Sequence, residues 1–179
     1  MVNKMGYQGE GEAFFELSNE VLRRRKKHIC FRARGRSMSP FIRDGEIIEI
    51  VPIDIKKIKS GDIIFYRSNS KKLVIHRVIK RILENGKIVF ITKGDFSPTF
   101  DQCIHSNNVL GKVVAVKKKN RIIRFDKGLM RLLNVLWAKV SPFNPWSYPP
   151  LRIVKQWVYR ILRFIGLPIS LTIRTGLLS

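Results

Sequence analysis

Five runs rich in β-branched and aromatic residues follow one another between residues 46 and 117: EIIEIVPI, DIIFYR, KLVIHRVIKRIL, KIVFITKG and NVLGKVVAVK. Such side chains suit a pleated, half-buried surface. The breaks between them, RDGE, KSGD, SNSKK, ENGK and GDFSP, carry Gly, Asn, Asp, Ser and Pro, the residues that build turns. Just upstream, Ile29, Phe31 and Ala33 alternate with Cys30, Arg32 and Arg34, the two-residue period of a strand. No helical run separates these segments. Residues 28–116 therefore predict a compact all-β sandwich or barrel.

The flanks read differently. Phe14, Phe15, Leu17, Val21 and Leu22 fall at helical spacing within residues 12–27, and RRRKK closes that helix with cations that suit its C-terminal dipole. Downstream, KKKNRIIRF suits a last hairpin. GLMRLLNVLWAKV then places Leu129, Leu132, Leu133, Leu136 and Val140 on one helical face. After the Pro-rich break SPFNPWSYPP, LRIVKQWVYRILRFIG sets Val154, Trp157, Val158, Ile161, Leu162 and Ile165 against Arg152, Lys155, Arg160 and Arg163. The expected division is an N-terminal helical segment (1–27), a β domain (28–125) and a basic amphipathic helical region (126–179).

The 179-residue chain carries a formal net charge of +22, which implies attraction to polyanions. Composition of the last helix favours an anionic membrane surface contacted through residues 151–166, apolar side chains entering the acyl boundary and cations meeting headgroups. Packing on the β domain is the alternative use of that face. No helix-turn-helix, zinc-finger or RNA-binding aromatic signature accompanies the charge, so nucleic acid is expected only as a non-specific partner. The start has no apolar core of a signal peptide, and no run reaches the length of a conventional spanning helix. A cytoplasmic protein peripheral to the membrane is the expected localisation. Cys30 and Cys103 have no metal-like spacing, and neither a metal nor a cofactor is expected.

Three short stretches could carry chemistry: GRSMSP with Ser37, VIHRV with His76, and TKGDFSPTFD with Asp95 and Asp101. Singly, each has an ordinary structural explanation: a serine in a turn, a hydrogen-bonded core histidine, an aspartate that shapes a turn. Together they supply what a serine nucleophile needs, a base to take its proton and a carboxylate to fix that base's tautomer. Lys71 and Lys72 are rival bases, disfavoured by their turn location.

In order and wording, GRSMSPFIRDGEIIEI, IKSGDIIFYR, LVIHRVIKR, FITKGDFSPTFD and VLGKVVAV resemble the signal peptidase I superfamily, which includes the self-cleaving domains of SOS-response repressors. The resemblance implies a mostly β, signal-peptidase-like fold and serine endopeptidase activity on a peptide or precursor protein. It makes Ser37 the nucleophile. It places His76 where bacterial-type members carry a lysine base, as in the archaeal and endoplasmic-reticulum type. It offers Asp101 as the orienting carboxylate and Asp95 as an auxiliary acid. Two departures stand out. EVLRRRKKHICFRAR occupies the place of the N-terminal membrane anchor, and Gly35 stands where many relatives have a hydroxyl oxyanion donor, leaving that task to backbone N–H groups, that of Ser37 first. Met38 and Pro40 are expected to shape the site, one filling apolar space and the other stiffening the turn.

The function expected from these readings is a serine endopeptidase acting at or near a membrane surface. A catalytically weak or inactive module of the same fold, binding anionic membrane or nucleic acid, is the alternative. An autoprocessing switch is a third reading, with ARGR and YQGEGEA as loose candidates for a scissile segment.

Overall fold

A computed structural model describes residues 6–119 and 121–143, and Arg160 beyond them, with side chains from Glu12 onward. The chain divides into two compact units, Met1–Pro142 and Phe143–Ser179. The amphipathic helix expected over 151–166 lies outside the described residues, Arg160 excepted.

The first unit is mostly β. Helix α1 (Gly6–Asn19) runs into a π-helical turn (Glu20–Arg24). Eight strands follow: β1 (Ile29–Arg32), β2 (Ile47–Val51), β3 (Ile63–Arg67), β4 (Leu73–Glu84), β5 (Lys87–Lys93), β6 (Ile104–His105), β7 (Val109–Lys118) and β8 (Arg121–Arg124). Every pairing is antiparallel, in the order β1-β2-β7-β3-β4-β5-β6, with β8 folded back on β7 as the closing hairpin. Each expected strand is present, and the turns fall on the breaks that Gly, Asn and Pro mark.

Register explains how the long strand β4 serves two neighbours. Leu73–Arg77 pairs with β3, and Arg77–Glu84 pairs with β5. A bulge between Val78 and Lys80 marks the change of partner, and bulges bend and twist a strand. Residues 73–76 therefore have a ladder on one side only. Beneath them Ile58, Ile64, Tyr66, Val78, Phe90, Ile104 and Val109 form a closed apolar cluster.

Helix α2 (Gly128–Val140) packs on this sheet through Met130, Leu133, Asn134, Trp137 and Ala138, a run of helical spacing. This corrects the face read from the leucines alone. Leu133 is buried, but Leu129, Leu132 and Leu136 are about half exposed. The helix is rotated because Asn134, a polar residue that an apolar count ignores, is drawn inward by hydrogen bonds to Phe125 O and Arg77. Docking also demands a glycine. Gly61 has a φ of +89°, and a Cβ there would lie 2.9 Å from Val135 N, closer than any side chain could be tolerated.

Candidate active site

Ser37 sits in the turn that follows β1. Ser39 N donates to Arg36 O and Ile42 N to Met38 O, coiling the segment tightly, and the Ser39–Pro40 peptide is cis. Met38, Pro40, Phe41 and Ile42 are buried, while Ser37 remains exposed. The apolar residues thus anchor the turn and leave the serine accessible. Phe41 is the main anchor. Its ring lies 5.4 Å from that of Trp137 on α2 and 4.6 Å beneath the Arg77 guanidinium.

His76 lies in the singly paired part of β4 and is 9% exposed. Its Nδ1 is 2.6 Å from Asp101 Oδ2. An ionised carboxylate can only accept, so Nδ1 carries the hydrogen, and it is the Nε2 of the neutral ring that would present a lone pair. Thr92 Oγ1 donates to the same Asp101 oxygen at 2.7 Å and Tyr66 Oη at 3.1 Å. Burial pushes the Asp101 carboxyl up, but the hydrogen bond and attraction to His76, with the two hydroxyls, outweigh it and hold the group below its ordinary value. Burial, first, also pushes the Tyr66 phenol upward, so that it stays a neutral donor.

Gly94 brings serine and histidine together. A Cβ built on Gly94 would lie 2.8 Å from Ser37 O, 3.1 Å from Ser37 Cβ and 3.0 Å from His76 Nε2. The serine residue and the His76 ring therefore border one small space that a glycine leaves open. Phe96 N donates to Ser37 O at 2.7 Å and ties the loop after β5 to the serine turn. Among the described residues the Ser37 hydroxyl makes no hydrogen bond to His76, and in unliganded sites such bonds are often long before substrate arrives.

Asp95 stands apart from this set. It is bound through both oxygens by Arg77, Nε at 2.7 Å and Nη2 at 2.8 Å, and the pair is almost wholly buried. Arg77 Nη1 also donates to Gly61 O and Asn134 Oδ1. Consecutive residues of a strand face opposite ways, so β4 sends His76 to one side and Arg77 to the other. Gly35 N donates to Asp44 Oδ1 at 2.7 Å, so that N–H is already occupied. Lys71 and Lys72 lie exposed in the turn between β3 and β4.

Arg77, Thr92, Tyr66 and Lys93 escaped the sequence reading. Lys93 is buried and donates to Ser141 Oγ at 3.0 Å, and burial lowers its pKa against the opposing pull of Asp95 and Asp101. One signal could have exposed Arg77. Two basic residues side by side within an apolar strand point to opposite faces, and each, if buried, needs its own acid. Among the described residues no three His, Cys, Asp or Glu side chains are grouped to hold a metal, and both cysteines are free and exposed.

A cleft of about 610 Å³ opens beside Ser37 and His76. Phe14, Phe31, Phe65, Ile42 and Ile75 line its apolar walls. α1 contributes Phe14, whose ring packs edge-on against Phe31 at 5.2 Å. Glu12 and Phe15 of the same helix engage Arg67 by an ion pair and a cation–π contact.

An antiparallel β fold that sets a serine beside a histidine at one cleft, with a carboxylate behind the histidine, suits a serine-peptidase-like or self-cleaving protein. The chain belongs to the Peptidase S24-like family, whose model matches residues 3–119. This supports the superfamily that joins signal peptidases with self-cleaving repressors, as the five motifs implied. No curated protein matches the chain.

Proposed function

We propose that this protein is a serine endopeptidase in which Ser37 is the nucleophile, His76 the general base and Asp101 the residue that orients it, as in the histidine-containing type of signal peptidase. The observation that carries this reading is the 2.6 Å contact between His76 Nδ1 and Asp101 Oδ2, which leaves Nε2 beside Ser37 over Gly94. Nε2 accepts the Ser37 proton as Oγ attacks the scissile carbonyl. Asp101 stabilises the imidazolium that forms. The imidazolium then protonates the leaving amine, and a water activated by the neutral ring releases the acyl group. With Gly35 N committed to Asp44, the Ser37 N–H is the oxyanion donor this reading assigns. Asp95 has no step in the reaction; it holds Arg77.

The test is cleavage of a peptide substrate, or of the chain itself on long incubation, by wild type, Ser37→Ala and His76→Ala. Both variants should lose activity by about 10³-fold or more. Undiminished cleavage in either removes the assignment and leaves a binding module of the same fold. The membrane-surface setting rests on the composition of residues 151–166 alone.

A further inference from the structure

We propose that the Ser37 cleft selects extended peptide segments with acidic side chains next to the apolar residue that the cleft buries. This rests on reading Ser37 as the nucleophile, and it names the substrate class of that site.

Charge in the cleft is one-sided. Arg32 and Arg34 belong to its lining, and no carboxylate does. They flank buried Ala33 where the chain leaves β1, and both are exposed. Arg32 Nη1 donates to Gly45 O at 2.8 Å, and its remaining hydrogens stay available. Arg34 has no hydrogen-bond or ion-pair partner among the described residues. Of the neighbouring acids, Glu46 pairs with Lys118 and Glu12 with Arg67, while Asp44 accepts from Gly35 N and lies outside the cleft lining. Exposed Lys71 and Lys72 precede the lining residue Leu73 in the chain and add positive charge. Within a +22 chain, these two arginines are without an ion pair among the described residues and belong to an apolar cleft.

Backbone edges suggest how a substrate lies there. β1 pairs with β2 alone, so its outer edge is open, and residues 73–76 of β4 pair with β3 alone. A segment added along such an edge points successive side chains to opposite sides. One then enters the pocket of Phe31, Phe65 and Ile42 while its neighbours face the arginines. Planar guanidinium forks bind carboxylates in two-point fashion, which lysines elsewhere on the surface do less well.

The experiment uses the full chain carrying Ser37→Ala and fluorescein-labelled peptides that share one apolar core and carry Glu, Gln or Lys at the flanking positions. Anisotropy at physiological salt should give affinities in the order Glu, Gln, Lys, with about fivefold between the first two, since two partly exposed charge pairs contribute on the order of 1 kcal/mol together. Arg34→Gln should cut that step to about twofold, the share of the remaining Arg32 pair, and Arg34→Glu should erase it. Lys87→Glu, the same charge change at an exposed position outside this cleft, should leave the order unchanged. Equal affinities, no measurable binding, equal displacement by an oligonucleotide, or a Lys87→Glu effect as large as that of Arg34→Glu would each overturn the inference. Cleavage of the Gln peptide by the Ser37 enzyme is read separately. If it persists without any charge preference, only the substrate class fails. If the preference holds but no cleavage depends on Ser37, the peptidase reading fails.

Discussion

Asp95 and Asp101 lie six positions apart in one short segment, yet their surroundings give them opposite duties. Asp95 is sealed with Arg77 in a pair that neither water nor substrate reaches. Removing one charge of a buried pair strands the other, at a cost of about 3–5 kcal/mol. Asp95→Asn should therefore lower the unfolding free energy by about that much in a denaturant titration, and any loss of activity should follow loss of folded protein. Asp101 is partly exposed and serves His76. Asp101→Asn should leave the fold near wild type and reduce kcat by about 10⁴-fold, because an amide can hold the wrong histidine tautomer. The pH dependence separates them further. The folded Asp101 pKa is depressed, so its stabilising contribution is complete above the ordinary aspartate value of about 3.9 and is lost as pH falls through the folded value. Melting temperature should decline less steeply below about pH 4 in Asp101→Asn than in wild type. An equal slope would mean that the His76 contact contributes nothing. The residues alone could nominate both acids, and only the family resemblance offered Asp101 as the orienting one, because the physical division depends on which face of β4 each meets. His76 and Arg77 are adjacent letters; only the pleat separates them.

At the scale of elements, the site is a meeting of two loops on a strand edge. The serine turn is rigid because Met38, Phe41 and Ile42 are buried. The loop after β5 is held to it by the Phe96 N–Ser37 O bond. Between them Gly94 permits backbone to approach backbone, which a methyl group would prevent. Gly94→Ala should push the serine turn away from His76. Since a displacement of about 1 Å can cost about 10² in rate, kcat should fall at least that far, while overpacking costs stability only about 1–3 kcal/mol. A normal kcat with a lowered melting temperature would show that the contact is structural only. Strands and turns were legible before the structure because alternation and Gly/Asn/Pro punctuation are local signals. The docking of α2 was less so. Met130, Leu133, Asn134, Trp137 and Ala138 face inward for reasons that lie in Arg77, Phe41 and Gly61, far away in sequence. Gly94 likewise reads as part of a turn in TKGD, and its value as a spacer appears only when β4 and the serine turn are brought beside it.

For the whole molecule, the distribution of charge matters more than its sum. Some of the cations in the first unit are matched by acids: Arg77 with Asp95, Lys118 with Glu46, Lys112 and Arg131 with Asp62. The C-terminal stretch reads differently in sequence. Residues 151–166 hold Arg152, Lys155, Arg160 and Arg163 and no acid. Among the described residues no helix is long and apolar enough to cross a membrane. A surface contact with anionic lipid would draw on two forces with different responses to salt. Attraction between cations and headgroups fades as the Debye length shrinks from about 8 Å at physiological salt to about 3 Å at 1 M. Insertion of Trp157, Ile161 and Leu162 into the acyl boundary does not depend on screening. Co-sedimentation with vesicles containing anionic phospholipid should therefore be strong at low salt, weaken with added salt, and retain a residual fraction at 1 M. Ile161→Glu with Leu162→Glu should abolish that fraction and leave most of the low-salt binding. Complete release of the wild-type chain by salt would reduce the association to charge alone, and the cleft chemistry would then have to find its substrates in solution.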